Sequence, residues 1–243
     1  MAVFGKDILY FDSVTSTFDK LLEFPPSDGL AVVADRQTGG IGRNGRVWVS
    51  DEGGVYFSFY IVPECNVEEI PFLGIVCALA AHNTIAEYIP CSIKWPNDIV
   101  SDGKKVCGIL NKSGFCGDSS VYVMSGIGIN ANNTQFGDLD YRATSIKNII
   151  GKTVDREELL NRFFREFENI YFNINADEIM EQYKSSCVTL GKHVAVHYNT
   201  DGTVFEGECV DIRKDGSIDV KTDSGIVNVN SGEVSVRGIY GYV

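Results

Sequence analysis

Three stretches of the 243-residue chain carry residue types that could do chemistry. The first runs Arg36-Gln-Thr-Gly-Gly-Ile-Gly-Arg-Asn-Gly-Arg-Val-Trp48 and on to residue 50, with Arg36, Arg43 and Arg46, glycines 39, 40, 42 and 45, and no acid. Glycine lets a backbone approach a ligand and present its N–H groups. Arginine adds a fork matched to phosphate or carboxylate oxygens. The stretch reads as an anion-binding loop. The second is Lys94-Trp-Pro-Asn-Asp-Ile99, followed by Lys104-Lys-Val-Cys-Gly-Ile-Leu110. Pro96 forces a turn, so Asn97 and Asp98 project from a tight bend, where they could cap the turn, orient a metal ion or hold ribose hydroxyls. Lys105 opens an apolar strand, an expensive place for a charge unless an anion meets it. Gly108 within that strand marks a close approach. The third, Ser125-Gly-Ile-Gly-Ile-Asn130, alternates two glycines on one strand face. That flat surface could take a planar ligand or a neighbouring helix.

Composition removes several other chemistries. With 21 Lys+Arg against 33 Asp+Glu the formal charge is −12, so the mean field repels polyphosphate and phosphate chemistry must sit on a local basic patch. Gly40, Gly42 and Gly45 spell G-x-G-x-x-G, but the dinucleotide fingerprint must open a helix, and Val47–Val62 reads as extended. No G-x-S-x-G and no evident Cys/His pair occur. The seven cysteines are scattered without a CxxC, as expected of reduced thiols in a cytoplasmic protein. His193 and His197 alternate on one strand and read as solvent-facing. The N-terminus lacks the pattern of a signal peptide, and no run nears the ~18 apolar residues of a membrane span.

The elements that must position these groups follow from periodicity. Strands are expected at 8–12, 30–34, 55–62, 91–95, 105–111 and 120–129, with Asp102-Gly103 turning a hairpin between 91–95 and 105–111. Helices are expected over 18–24, capped from Ser13–Thr17, over 68–89, and over the amphipathic run behind Asp155 and Glu158. From about residue 187 five short alternating strands, punctuated by Asp201-Gly202, Asp215-Gly216 and Ser224-Gly225, predict a small antiparallel barrel. The expected architecture is α+β, a mixed-sheet domain over 1–186 with the barrel over 187–243.

Taken in order, the basic Gly-rich loop ending in Gly45-Arg46-Val47-Trp48, then K-W-P-N-D, K-V-C-G-I-L and G-I-G-I-N, resemble the biotin protein ligases (biotin–[acetyl-CoA-carboxylase] ligases). Ser16-Thr17 and the C-terminal barrel extend the resemblance over nearly the whole chain. It implies a class II synthetase-like mixed sheet with an SH3-like barrel, and an enzyme that makes biotinyl-5′-AMP from biotin and ATP. The biotin then passes to a lysine of a biotin carboxyl carrier domain. The resemblance places biotin at Ser16, Thr17, Gln37, Gly40, Ile41, Gly42, Arg43, Lys105, Gly108 and Gly126. It places the nucleotide at Arg43, Arg46, Trp48, Asn97, Asn130 and Arg237, and Mg²⁺ at Asp98. Arg43 and Lys105 are the implied catalytic pair, with ATP and Mg²⁺ needed and no tightly bound organic cofactor.

Two departures stand out. The family's G-R-G-R-x-G becomes Gly40-Ile-Gly-Arg-Asn-Gly45, so the first arginine is lost at Ile41. The asparagine that usually follows Ser-Thr is Phe18. The Ser-Thr segment is reached by residue 17, so no N-terminal DNA-binding module is expected and neither nucleic acid nor membrane is an expected partner; a homodimer stays open. A lipoate–protein ligase or lipoyl transferase, and a non-catalytic biotin sensor, are the competing readings.

Overall fold

A computed structural model describes residues 3–63, 69–116, 120–139, 141–199, 201–232 and 234–238, without the side chains of 116, 120, 237 and 238. Seven strands form a mixed sheet: β1 (Ile8–Val14), β2 (Ala31–Gln37), β3 (Val55–Ile61), β4 (Ser92–Lys94), β5 (Asp98–Ser101), β6 (Lys104–Cys116) and β7 (Ser120–Ile129). Their order is β1-β2-β3-β7-β6-β5-β4, with β1 and β2 parallel and every other pair antiparallel. Every residue of β3 is buried, as befits a central strand covered on both faces.

One face of the sheet carries α2 (Phe72–Ala86), covered in turn by α4 (Arg156–Asn173) and α5 (Ala176–Ser186). Enclosure explains why α2 is apolar on almost every side. Asp155 caps α4 by accepting from the amides of Glu157 and Glu158, as its sequence predicts. From that start Leu159, Leu160, Phe163, Phe164, Phe167 and Ile170 fall on one face. Phe163 meets Phe57 edge-on at 5.0 Å, and Phe167 meets Phe4 at 4.8 Å, a geometry that favours aromatic pairs. The opposite face carries α1 (Thr17–Leu21), whose Phe18 and Leu21 pack with Val32, Tyr60 and Met124.

The structure adds elements that periodicity did not reveal. Lys94 to Asp98 is the turn of a hairpin between β4 and the unforeseen β5. The Asp102-Gly103 turn therefore joins β5 to β6 rather than 91–95 to 105–111; both residues have positive φ, 48° and 70°, as a tight hairpin turn requires. Short α3 (Ile146–Ile150) is capped by Ser145 and ended by a left-handed Gly151. α5 is capped by Asn175. A second sheet of five antiparallel strands contains β8 (His193–Tyr198), β9 (Val204–Ile212), β10 (Ile218–Thr222), β11 (Gly225–Val229) and β12 (Val234–Gly238), in the order β11-β10-β9-β8-β12. Its Val194, Val196, Cys209, Ile212 and Ile218 continue the main core. Trp95 locks the two sheets together: its Nε1 donates to the Gly216 carbonyl at 2.9 Å and its amide to Thr189 Oγ1 at 3.0 Å. No helix of the described residues is long and apolar enough to cross a membrane.

Candidate active site

The three chemically loaded stretches meet in one cleft of about 1030 Å³. The Gly-rich stretch folds as a hairpin-like loop rising from β2. Gln37 bridges to Ser50 and Ile41 to Val47, and Asn44 and Gly45 turn the tip at φ 56° and 71°. The glycines do not open an α-helix, so the dinucleotide reading fails on geometry. Gly40 is where the two limbs cross: a Cβ there would lie 2.4 Å from the Trp48 carbonyl oxygen and 2.7 Å from Ser50 Oγ. It stands behind the cleft, not among its lining residues, whereas Ile41, Gly42, Arg43, Arg46 and Trp48 line it.

At the inner end the groups are neutral and tied together. The Thr17 amide and hydroxyl donate to Gln37 Oε1 at 2.8 and 3.1 Å, and Gln37 Nε2 donates to Ser50 Oγ at 2.8 Å. Thr17 Oγ1 also meets Ser58 Oγ at 2.7 Å, while Ser16 Oγ caps α1 by accepting from the Phe18 amide. Burial makes each unmade bond costly, so this network fixes Gln37 and Thr17 in place before any ligand arrives.

The outer end is charged. Among the described residues, Arg43, Arg46, Lys94, Lys104, Lys105 and Arg142 line it with Asp98 and Asp102. Lys105 Nζ pairs with Asp98 Oδ1 at 2.6 Å and lies 4.9 Å from the centroid of the Trp48 ring. The charge near the start of β6 thus meets an internal carboxylate, and Gly108 provides the room: a Cβ there would sit 3.0 Å from Lys105 Cε and Nζ. Arg43 donates to Asn97 Oδ1 at 3.2 Å and to the carbonyls of Ser231 and Val234, and Arg46 donates to Ser235 Oγ at 3.2 Å. The C-terminal sheet therefore helps hold the arginine loop. Arg43's acceptors here are neutral, so its charge is oriented without being cancelled by them. Burial pulls its pKa down, Asp98 opposes that shift and Arg46 adds to it. Such a centre is built for an anion.

Asn97 Nδ2 donates to the Ile109 carbonyl at 2.5 Å, which makes it a turn-capping residue as well as a lining one. Asn130, 3% exposed, donates to the Thr144 carbonyl at 3.0 Å. The flat glycine face is covered by the chain's own rings. Trp48 lies on Gly128, where a Cβ would be 2.4 Å from its Nε1, and Phe18 lies on Gly126. For Gly126 the competing expectation, packing of a helix, describes what is seen. Arg237 falls on β12, but its side chain lies outside the described residues. The reading from sequence overlooked Lys94 as a buried lining residue and the wall made by Phe136, Leu139, Tyr141, Arg142 and Ala143. That wall is pinned to Lys105 by its amide donating to the Arg142 carbonyl at 2.8 Å and by Thr144 N–H donating back at 3.0 Å. The only local hint was Tyr141-Arg142 ahead of the Ser145 cap.

Among the described residues no three His, Cys, Asp or Glu side chains are grouped to hold a metal. Burial pushes the thiols of Cys77, Cys91 and Cys209 up to about 12, far from nucleophilic. Fold and cleft together define a site that can align a small acid with an anionic co-substrate. Residues 8–130 match the Biotin/lipoate A/B protein ligase family, and residues 189–237 match the Biotin protein ligase C terminal domain; the chain belongs to that ligase family. It is 32% identical to the Bifunctional ligase/repressor BirA of Bacillus subtilis (strain 168), over 96% of this chain and 75% of that protein. It is 27% identical to the Biotin--[acetyl-CoA-carboxylase] ligase of Mycobacterium tuberculosis, over 85% and 79%. The biotin protein ligase of Aquifex aeolicus, solved in complex with biotin and ATP, superposes with a TM-score of 0.80 at 34% identity, covering 96% of this chain and 99% of that one.

Proposed function

We propose that this chain is an ATP-dependent biotin–protein ligase, of the biotin–[acetyl-CoA-carboxylase] type, acting in the cytoplasm on a biotin carboxyl carrier domain. The observation that carries the reading is the polarity of this cleft: a neutral hydrogen-bonding end joined at Lys105 to a cation-rich end. Biotin has the same division, with a cyclic urea at one end and a carboxylate at the other. Ser16, Thr17 and Gln37 suit the urea; Lys105 and Arg43 suit the place where carboxylate and α-phosphate meet.

The chemistry follows from charge. A carboxylate oxygen of biotin attacks the α-phosphorus of ATP, the bond from that phosphorus to the bridging oxygen breaks, and pyrophosphate leaves. Two anions must approach, so oriented cations that gain strength as charge shifts to the phosphate oxygens lower the barrier. Lys105 and Arg43 take that role. Trp48 offers a stacking face to the adenine, while Asn97, Asn130, Arg46 and Arg237 belong to the nucleotide side. An Mg²⁺ accompanying ATP would find one carboxylate at Asp98 and would neutralise charge on the phosphate oxygens. In the second step the acceptor lysine's neutral amine attacks the activated carbonyl, the acyl–oxygen bond to phosphate breaks, and AMP leaves. The anhydride must be shielded from water until then, a task for the loop carrying Ile41 to Trp48. Residues 1–186 carry Lys105 and Arg43, and 187–243 supply the carbonyls that orient Arg43.

Transfer of labelled biotin to a carrier-domain lysine, with ATP, tests the reading. Transfer that requires both Lys105 and ATP supports it. Tight biotin binding without transfer would make the chain a sensor, and a preference for lipoate would move it to the lipoate branch of its family.

A further inference from the structure

A row of residues crosses the sheet beneath the inner end of the cleft and changes character from strand to strand. Ser58 on β3 pairs with Gly126 on β7, and Gly126 pairs with Leu110 on β6. Helix α1 lies above that row. Thr17 sets its hydroxyl on Ser58 at 2.7 Å. Phe18 lays its ring on Gly126 so closely that a Cβ there would come within 2.2 Å of it. Consecutive residues of one short helix thus build unlike walls, hydroxyls and the Gln37 amide on one side, an aromatic ring on the other. Phe18 is 5% exposed yet lines the cleft. The Lys112 ammonium, 5.5 Å from its ring centroid, packs on it as well.

Biotin's bicycle is divided in the same way. Its urea is a hydrogen-bonding edge, and the fused ring on the far side is an apolar, polarisable thioether. Thioether sulfur packs favourably near aromatic rings, and an aromatic wall gives no hydrogen bond to a polar group pressed against it. We propose that Phe18 is a specificity-determining residue for the acid. Its ring is the wall on which the thioether edge lies, opposite Thr17 and Gln37, and it sets the size and polarity of acid the cleft accepts. This rests on the biotin reading of the site. The asparagine that the family resemblance implies here would offer an N–H; the phenyl ring selects by shape and by sulfur contact instead.

The test is ATP–pyrophosphate exchange by the full chain with biotin, biotin sulfone and desthiobiotin, for the wild type, Phe18→Asn and Phe18→Leu. Ratios of kcat/KM between acids do not depend on how much of a variant is folded, so loss of stability does not blur the result. The wild type is expected to favour biotin over the sulfone by about 100-fold, the scale on which pockets discriminate small changes. Phe18→Asn, which can donate to a sulfone oxygen, lowers that ratio about tenfold. Phe18→Leu keeps the sulfone excluded but loses about threefold of the preference for biotin over desthiobiotin. Ratios unchanged in both variants, with a wild type active on biotin, would overturn the role of Phe18. A wild type that exchanges with none of the three acids would overturn the biotin reading itself, and the role with it.

Discussion

The two ends of the cleft are built on opposite plans. At the inner end, Thr17, Gln37, Ser50 and Ser58 are neutral and bonded mainly to one another, all held by the main sheet and the helix packed on it. At the outer end, Arg43 and Arg46 stand on a loop and are steadied by carbonyls and a hydroxyl from the second sheet, while Lys105 rests on Asp98 and Trp48. The first arrangement is finished before the ligand binds and recognises shape. Among the described residues the second carries more cations than carboxylates, an arrangement that suits an anion. A protein whose net charge is −12 can therefore handle ATP, because attraction at short range within a cleft of reduced dielectric outweighs a screened mean field.

The largest effect should come from removing the group that joins the two ends. Lys105→Ala is expected to lower biotin-dependent ATP–pyrophosphate exchange by about 10³-fold, with an unchanged far-ultraviolet circular dichroism spectrum; a wild-type rate would remove Lys105 from the chemistry. Next is Arg43→Ala, expected to lose about 10²-fold in kcat/KM for ATP with a smaller loss, no more than about tenfold, in equilibrium binding of biotin alone. If biotin binding fell equally, the division between the ends would be wrong. Gln37→Ala should do the reverse, weakening biotin binding about tenfold, the scale of one buried hydrogen-bond partner, and leaving the KM for ATP in place.

The smallest effect lies away from the cleft, where Lys184 on α5 meets Asp211 on β9 at 2.5 Å. That hydrogen bond, aided by the Ile212 amide, holds the Asp211 carboxyl below its usual range. Asp211 is thus stabilising above the pKa of the unfolded chain, and the contribution is lost as pH falls through the lower folded value. Both side chains are a third or more exposed, so Lys184→Met should cost at most about 0.5 kcal/mol at pH 7. In thermal unfolding the gap from wild type should close well below pH 4, about the unperturbed Asp value. A gap that persisted there would exclude this ion pair as its cause.

Much of this was legible in the sequence, for identifiable reasons. Alternation announced β3, β7 and the C-terminal strands, and Asp155 announced α4. The arginine loop was visible as a run without acids, and the lysine-proline-asparagine stretch as a turn. What stayed hidden depended on contacts between distant residues. No local pattern could say that the carbonyls of Ser231 and Val234 would orient Arg43, or that Arg142 and Thr144 would clamp Lys105. The glycines of 126 and 128 promised a flat surface, but only the fold shows that Phe18 and Trp48 lie on it. β5 was missed because four residues between two turns are too few to show alternation.

The most direct test of the central claim is ATP–pyrophosphate exchange by the wild-type chain with biotin, with lipoate and with no acid. The account predicts exchange with biotin alone, lowered about 10³-fold by Lys105→Ala. Exchange without any acid, or faster exchange with lipoate than with biotin, would contradict it.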